Sequence, residues 1–192
     1  AALTPRDVEV AVIDENVEPV DLEAAADVVA FTGIFIQRRR LFELAQAFRK
    51  RGKIVAIGGP IATDLEHECL KRADAIFVGE AEYTWPRFVA DARSGSVSSV
   101  YRQTELVDIK DSPAPRLDLL KTDRYASGCI QATRGCPYRC EYCDVPAKDG
   151  GRPRSKPVTQ VLEEIREHAR LGFDSIFFVD DNFAGNREYV RV

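Results

Sequence analysis

No apolar run in the 192 residues approaches the ~20 needed to cross a bilayer as a helix. A transmembrane helix is therefore excluded, and no secretory leader is expected from the opening residues. Neither sign of charge is in excess: 27 lysines and arginines face 31 aspartates and glutamates, for a formal net charge of −4. General affinity for nucleic acid or for an anionic membrane is not expected from that balance. The pattern Gly-x-Gly-x-x-Gly is absent, which argues against a nicotinamide dinucleotide as cofactor. Cysteines are few and odd in number, five in all, with three of them between positions 136 and 143. A secreted disulfide framework would spread its pairs, so the cluster reads as metal chemistry in a reducing compartment, with cytoplasm as the expected location. Hydrophobic residues at 45% and charged residues at 30% exclude extended disorder and leave an ordinary globular composition.

What is present alternates. Short β-branched runs at residues 8–14, 28–32, 54–57 and 75–78 suit parallel strands covered on both faces. Leu41, Leu44, Ala45 and Phe48 fall at helical spacing within residues 38–51, and residues 63–72 and 82–93 are further helix candidates. Repeated strand–helix–strand units predict an α/β domain with a Rossmann-like, doubly wound parallel sheet. Residues 101–110 read as a strand or extended arm, and 111–116 (DSPAPR) as a linker, since prolines disfavour helix in the residues before them. A new unit follows, with strands at 128–133 and 175–179 around a helix at 157–171, whose apolar stripe is Val158, Val161, Leu162, Ile165 and Ala169. Glu164 is expected on the solvated side of that helix, and Cys69 and Cys129 are expected as small core residues. The domain boundaries drawn are 1–110, a linker at 111–124, and 125–192.

The chemistry is concentrated in Thr133-Arg134-Gly135-Cys136-Pro137-Tyr138-Arg139-Cys140-Glu141-Tyr142-Cys143. Three thiolates spaced Cys-x-x-x-Cys-x-x-Cys can wrap one soft centre, either an iron–sulfur cluster or zinc. A structural zinc site wants four closed ligands, and neither Cys129 nor His168 stands at a zinc-finger spacing. Three cysteines on a 4Fe–4S cube leave one iron open, which suits catalysis better than plain electron transfer. From Arg134 to Lys156 six cationic residues outnumber three anionic ones, a local excess that suits an anionic cluster and its ligand.

In the amino-terminal part, the expected strand ends read Thr32-Gly33, Gly58-Gly59-Pro60 and Gly79-Glu80. Open α/β sheets bind ligands beyond the carboxyl ends of their strands. Small residues there let the backbone approach a large flat ligand.

The cysteine spacing, Tyr142 before the last cysteine and the TRGCP lead-in resemble the radical S-adenosylmethionine superfamily. The resemblance implies that Cys136, Cys140 and Cys143 hold a 4Fe–4S cluster and that S-adenosylmethionine chelates the fourth iron. Its one-electron reduction would give methionine and a 5′-deoxyadenosyl radical that abstracts hydrogen from substrate. It also implies a partial TIM-type barrel, adenine contact by the backbone around Tyr142, and Asp180 and Asp181 at the strand end that receives the methionyl amino group. Arg154 and Ser155 are candidates for the carboxylate or ribose.

VIDENVEPVD, ADVVAFTG, AIGGPIAT and FVGEAEYTWP are similar to the cobalamin-binding domain fused ahead of many such enzymes. That resemblance implies a corrin across Thr32, Gly33, Gly58, Gly59, Gly79 and Glu80. The Asp-x-His-x-x-Gly signature of a lower axial histidine is missing: His67 is followed by Glu68-Cys69-Leu70. His67 is accordingly expected on a helix surface. The resemblance further implies a C-methyltransferase with a small-molecule, lipid or peptide substrate and a low-potential flavodoxin- or ferredoxin-type electron donor. A radical oxidation or rearrangement, and a non-enzymatic zinc or iron–sulfur module, are the alternatives. The tRNA methylthiotransferases share the cysteine spacing but carry three further cysteines in their amino-terminal domain, whereas residues 1–128 here contain only Cys69. Methionine is absent and few barrel elements are present, so the chain is expected to be a piece of a longer enzyme.

Overall fold

The computed structural model describes residues 1–191. The chain forms two compact units, one of Leu3–Arg6 with Pro19–Glu105, the other of Ala1–Ala2, Asp7–Glu18 and the residues from Leu106 onward.

The first unit is built on a four-stranded parallel sheet: β1 (Val28–Thr32), β2 (Ile54–Gly58), β3 (Ala75–Val78) and β4 (Val100–Arg102). Helix α1 (Arg38–Lys50) joins β1 to β2, the short helices α2 (Pro60–Asp64) and α3 (Glu66–Leu70) join β2 to β3, and α4 (Thr84–Ser94) joins β3 to β4. Val55, Ala56 and Ile57 of β2 and all four residues of β3 are buried, as the uninterrupted apolar runs predict for parallel strands covered on both faces. α1 buries Leu41, Phe42, Leu44, Ala45 and Phe48, the stripe expected from its spacing. Phe77 of β3, Phe88 of α4 and Tyr101 of β4 form a ring cluster with centroids 5.3–5.5 Å apart, and the Tyr101 hydroxyl donates to Asp91 at 2.6 Å.

Two expectations differ here. The strands lie in the order β1-β2-β3-β4, so the chain crosses this sheet in one direction and the described strands contain no reversal of a doubly wound kind. Residues 8–14 form no strand; their alternating valines offer the right faces, but no neighbouring strand supplies a ladder, and a strand exists only by pairing. Asp14 instead accepts from the Asn16 amide and from the Tyr125 hydroxyl, each at 2.9 Å. These donors hold its carboxyl below the usual carboxylate range.

The second unit has two small sheets. β5 (Gly128–Ile130) pairs in parallel with β8 (Ile176–Phe178), while β6 (Thr133–Arg134) and β7 (Arg154–Ser155) pair antiparallel. Between β6 and β7 lie the cysteines and α5 (Val145–Lys148); α6 (Val158–Arg170) connects β7 to β8. Ile130, Ala132 and Val161 form the core here, with Ile165, Ile176, Phe178, Phe183 and Tyr189 packed on it. Only one face of the β5–β8 pair is covered. Cys129 is exposed rather than a core residue, because it alternates with the buried Gly128 and Ile130. Phe177, its partner in register, is 64% exposed.

Glu164 is the other correction. It is buried, not solvated, and accepts from Lys156 Nζ at 2.7 Å. Its place between Val161 and His168 on the buried stripe of α6 was the available signal: a carboxylate inside an apolar stripe needs a buried cation. His168 is fully buried on the same stripe, its Nδ1–H donating to the Glu164 carbonyl at 2.8 Å.

Candidate functional site

The cysteine loop leaves the carboxyl end of β5 through β6, and its lead-in is fixed by backbone geometry. Gly135 is buried with φ +94°, and a side chain there would meet the carbonyl oxygens of Asp149, Arg152 and Gly150 at 2.8–2.9 Å. Only glycine allows both that φ and that approach. The next amide, Cys136 N–H, donates to the Gly150 carbonyl at 3.1 Å. Further along, Cys143 N–H donates to the Cys140 carbonyl at 3.0 Å, so these two cysteines share one turn. Tyr142, between them, is 93% exposed.

Cys136 and Cys143 are half-buried and Cys140 is exposed. Among the described residues, no three His, Cys, Asp or Glu side chains are placed together as a ligand set for a metal ion. The donor chemistry nevertheless fits a cluster: three thiols on one loop, none in a disulfide.

Just after the neighbouring strand β8 come Asp180, Asp181 and Asn182, and all three side chains reach the loop. Thr133 N–H donates to Asp180 Oδ1, Gly135 N–H donates to Asp181 Oδ2 at 2.7 Å, and Asn182 Nδ2 lies 3.7 Å from Cys136 Sγ. Parallel pairing produces this juxtaposition, since Ile130 stands opposite Phe178 and both chains leave the sheet at the same end. The second Asp180 oxygen, Oδ2, is buried with no hydrogen-bond partner, as is Thr133 Oγ1. The contact of Asn182 with a cysteine was not visible in the spacing, because the two are 46 positions apart.

The cations near the loop are mostly engaged in holding the fold. Lys156 is in the buried pair with Glu164, Lys148 pairs with Asp144 one turn away on α5, and Arg134 donates to Gln131 Oε1 at 3.1–3.2 Å. Arg154 Nη2 donates to the Asp149 carbonyl at 2.9 Å, and Ser155 pairs with Thr133 across the small sheet. Beside this region an apolar cleft of about 150 Å³ is lined by Ala132, Phe178, Phe183 and Tyr189. Burial, with Asp180 and Glu164 adding to it, pushes the Tyr189 hydroxyl above the ordinary tyrosine value.

In the first unit the strand ends assemble as expected from parallel register. Thr32 stands opposite Gly58, and the Gly33 carbonyl accepts from Ile61 N–H at 3.1 Å. Gly59 has φ +78°, and a Cβ on it would sit 2.5 Å from Thr32 Oγ1. Gly79 follows β3, its amide donating to Thr63 Oγ1 at 3.4 Å, and Glu80 beside it is half-buried. Ile34, Phe35 and Ile36, just past β1, are 45%, 48% and 80% exposed. Thr32, Gly33, Gly58 and Gly59 therefore lie together at one edge, bordered by exposed apolar side chains. Cys69 is fully buried behind them, and burial pushes its thiol up to about 11. His67 is exposed on α3.

The whole chain is 38% identical over 197 residues to an uncharacterized methyltransferase of Synechocystis sp., covering 37% of that protein. It is 31% identical over 195 residues to the hopanoid C-2 methylase of Rhodopseudomonas palustris, covering 98% of this chain and again 37% of the relative. The chain thus spans little more than a third of the length of these relatives. Among solved structures, the radical S-adenosylmethionine methyltransferase TsrM of Kitasatospora setae, with cobalamin and a [4Fe-4S] cluster bound, is 15% identical with a TM-score of 0.65 over 88% of this chain and 41% of that one. The fold is shared at that level. Residues 130–192 match the model of the Radical SAM superfamily, and by that match and the cysteine loop it contains, this segment of the chain belongs to the radical SAM superfamily.

Proposed function

We propose that this chain is part of a cobalamin-dependent radical S-adenosylmethionine methyltransferase acting on an unactivated carbon. The observation that carries the reading is the three-cysteine loop, tied at its lead-in to the end of the adjacent parallel strand. Cys136, Cys140 and Cys143 would hold a 4Fe–4S cluster, the thiols being gathered as it binds. When bound, the cluster and S-adenosylmethionine supply a one-electron reductive cleavage that yields methionine and a 5′-deoxyadenosyl radical.

The chain's own part is orientation. Asp181 and Asp180 hold the backbone ahead of Cys136 in one conformation. The free Oδ2 of Asp180 is an acceptor suited to a protonated amine, which supports its expected role toward the methionyl amino group. The exposed turn around Tyr142 leaves its backbone open to an adenine. In the other unit, Thr32, Gly33, Gly58, Gly59, Gly79 and Glu80 offer a shallow strand-end surface with an apolar border, which suits a corrin. The unit would be a Rossmann-like cobalamin domain in that reading, and β5, α6 and β8 the opening of a TIM-type barrel. Because the signature histidine is absent, the corrin would bind without a histidine from that motif. The names of the methylase relatives support methyl transfer over oxidation or rearrangement.

Anaerobic iron–sulfur reconstitution tests this directly. The expected results are visible iron–sulfur absorbance that changes on adding S-adenosylmethionine, and formation of 5′-deoxyadenosine. Stoichiometric zinc with no iron would overturn the radical reading. Loss of all corrin absorbance after soaking with hydroxocobalamin and desalting would remove the methyltransferase reading and leave the radical one.

A further inference from the structure

We infer that Asn182 is a positioning residue for the cluster, donating a hydrogen bond to Cys136 sulfur and thereby raising the reduction potential of the bound cluster. The inference rests on the proposal that the three cysteines hold a 4Fe–4S centre.

The segment after β8 grips the cysteine loop at four successive points. Asp180 accepts from Thr133 N–H, Asp181 from Gly135 N–H, and Asn182 Nδ2 lies 3.7 Å from Cys136 Sγ. At the fourth, Gly185 lies so close to the loop that a Cβ on it would be 3.1 Å from Pro137 Cδ. The contacts follow the same order along both segments, because the two leave adjacent parallel strands and run side by side. The two aspartates accept only, and both take backbone amides, so they fix where the loop goes. Asn182 alone of the three carries N–H donors, and the atom it reaches is the sulfur of a candidate ligand.

Its position is held from behind. Gly185 N–H donates to the Asn182 carbonyl at 3.0 Å, and Asn182 makes no side-chain capping bond to the turn Phe183–Gly185. The amide group is therefore free to serve the sulfur rather than its own turn. Hydrogen bonds to cluster sulfurs withdraw electron density from the iron and favour the reduced state. A donor on one of only three protein ligands is well placed to ease entry of the electron that the proposed chemistry requires.

The test is a redox titration of the reconstituted full chain, followed by electron paramagnetic resonance of the reduced cluster. Asn182→Leu, with the same branching and heavy-atom count but without a donor, is expected to keep the parent's iron and sulfide content. At a fixed solution potential it should lower the ratio of reduced to oxidised cluster several-fold. Asn182→Asp, with the same shape and an anionic acceptor in place of the donor, should lower it at least as far, and it gives the answer if the leucine variant holds too little cluster to titrate. A variant with full iron content and the parent's potential would overturn the role of Asn182 while leaving the cluster reading intact. A parent chain that binds no cluster would overturn both, and the two failures are distinguished by iron content alone.

Discussion

The two units solve the same problem, presenting residues at the carboxyl ends of parallel strands, with different amounts of core behind them. In the first, β2 and β3 are buried on both faces, α1 and α4 supply apolar stripes, and a ring cluster closes one side. In the second, β5 and β8 cover one face only, and Cys129 and Phe177 remain exposed. The cysteine loop is accordingly held less by apolar packing than by directed polar contacts: two carboxylates on backbone amides, one amide on a sulfur, and a buried Lys156–Glu164 pair. Apolar packing tolerates a missing bond, because its attraction is spread over many atoms. A polar framework is more exact in direction but depends on each member, since a buried group left alone carries its full desolvation cost.

The sharpest way to break this comparison is Cys140→Ala. Two thiolates rarely retain a cube, so iron should fall from about four per chain to near zero, while the far-ultraviolet circular dichroism of the parallel-sheet unit stays unchanged. A retained cluster would show that the loop is not the centre.

Glu164→Ala follows in size. It leaves the Lys156 ammonium buried without its partner, and loss of one member of a buried pair costs ~3–5 kcal/mol. Urea unfolding should show that loss in the cysteine-bearing unit, with the transition of the other unit in place. A change near zero would mean that Lys156 swings out to solvent, and that the polar framework is looser than described.

Two glycines sharpen the contrast. Gly135→Ala and Gly59→Ala each force a side chain into a positive-φ position with an atom closer than 3.0 Å, at ~1–3 kcal/mol of backbone strain before any clash. The first should reduce cluster yield and leave corrin retention alone. The second should do the reverse. If either substitution lowers both, the two sites do not depend on separate frameworks.

The smallest effect is one of pH. The Cys69 thiol, whose ordinary value is 9.0, is pushed up to about 11 by burial in the first unit. The folded state holds its proton more tightly than the unfolded state, so its contribution is whole below pH 9. It is lost as pH rises from about 9 to about 11. Cys69→Ala should flatten the fall of stability in that window, as followed by thermal unfolding at stepped pH.

Much of this was legible in order of residues alone. The apolar runs of β1, β2 and β3 and the stripe of α1 follow from periodicity, because burial of one helix stripe or of both strand faces leaves a local record. The thiol triplet is likewise a local pattern. Three features left no such record. Residues 8–14 alternate like a strand but have no neighbour to pair with, and pairing is not a property of a segment. The partner of Glu164 is the second: the stripe of α6 places the carboxylate inward, but nothing local marks Lys156 as the buried cation that meets it. Asn182 stands 46 positions from Cys136 and reaches it only because β5 and β8 lie side by side.

By itself, then, the order of amino acids determined which short runs could be strands, which helix faces would turn inward, and that three soft donors share one loop, since each depends on neighbours within a few positions. Tertiary structure alone decided how the strands line up, which polar groups lost water and so needed partners, and which distant side chain would stand beside a cysteine. Those outcomes depend on the register of segments far apart in the chain, and no local spacing encodes a register.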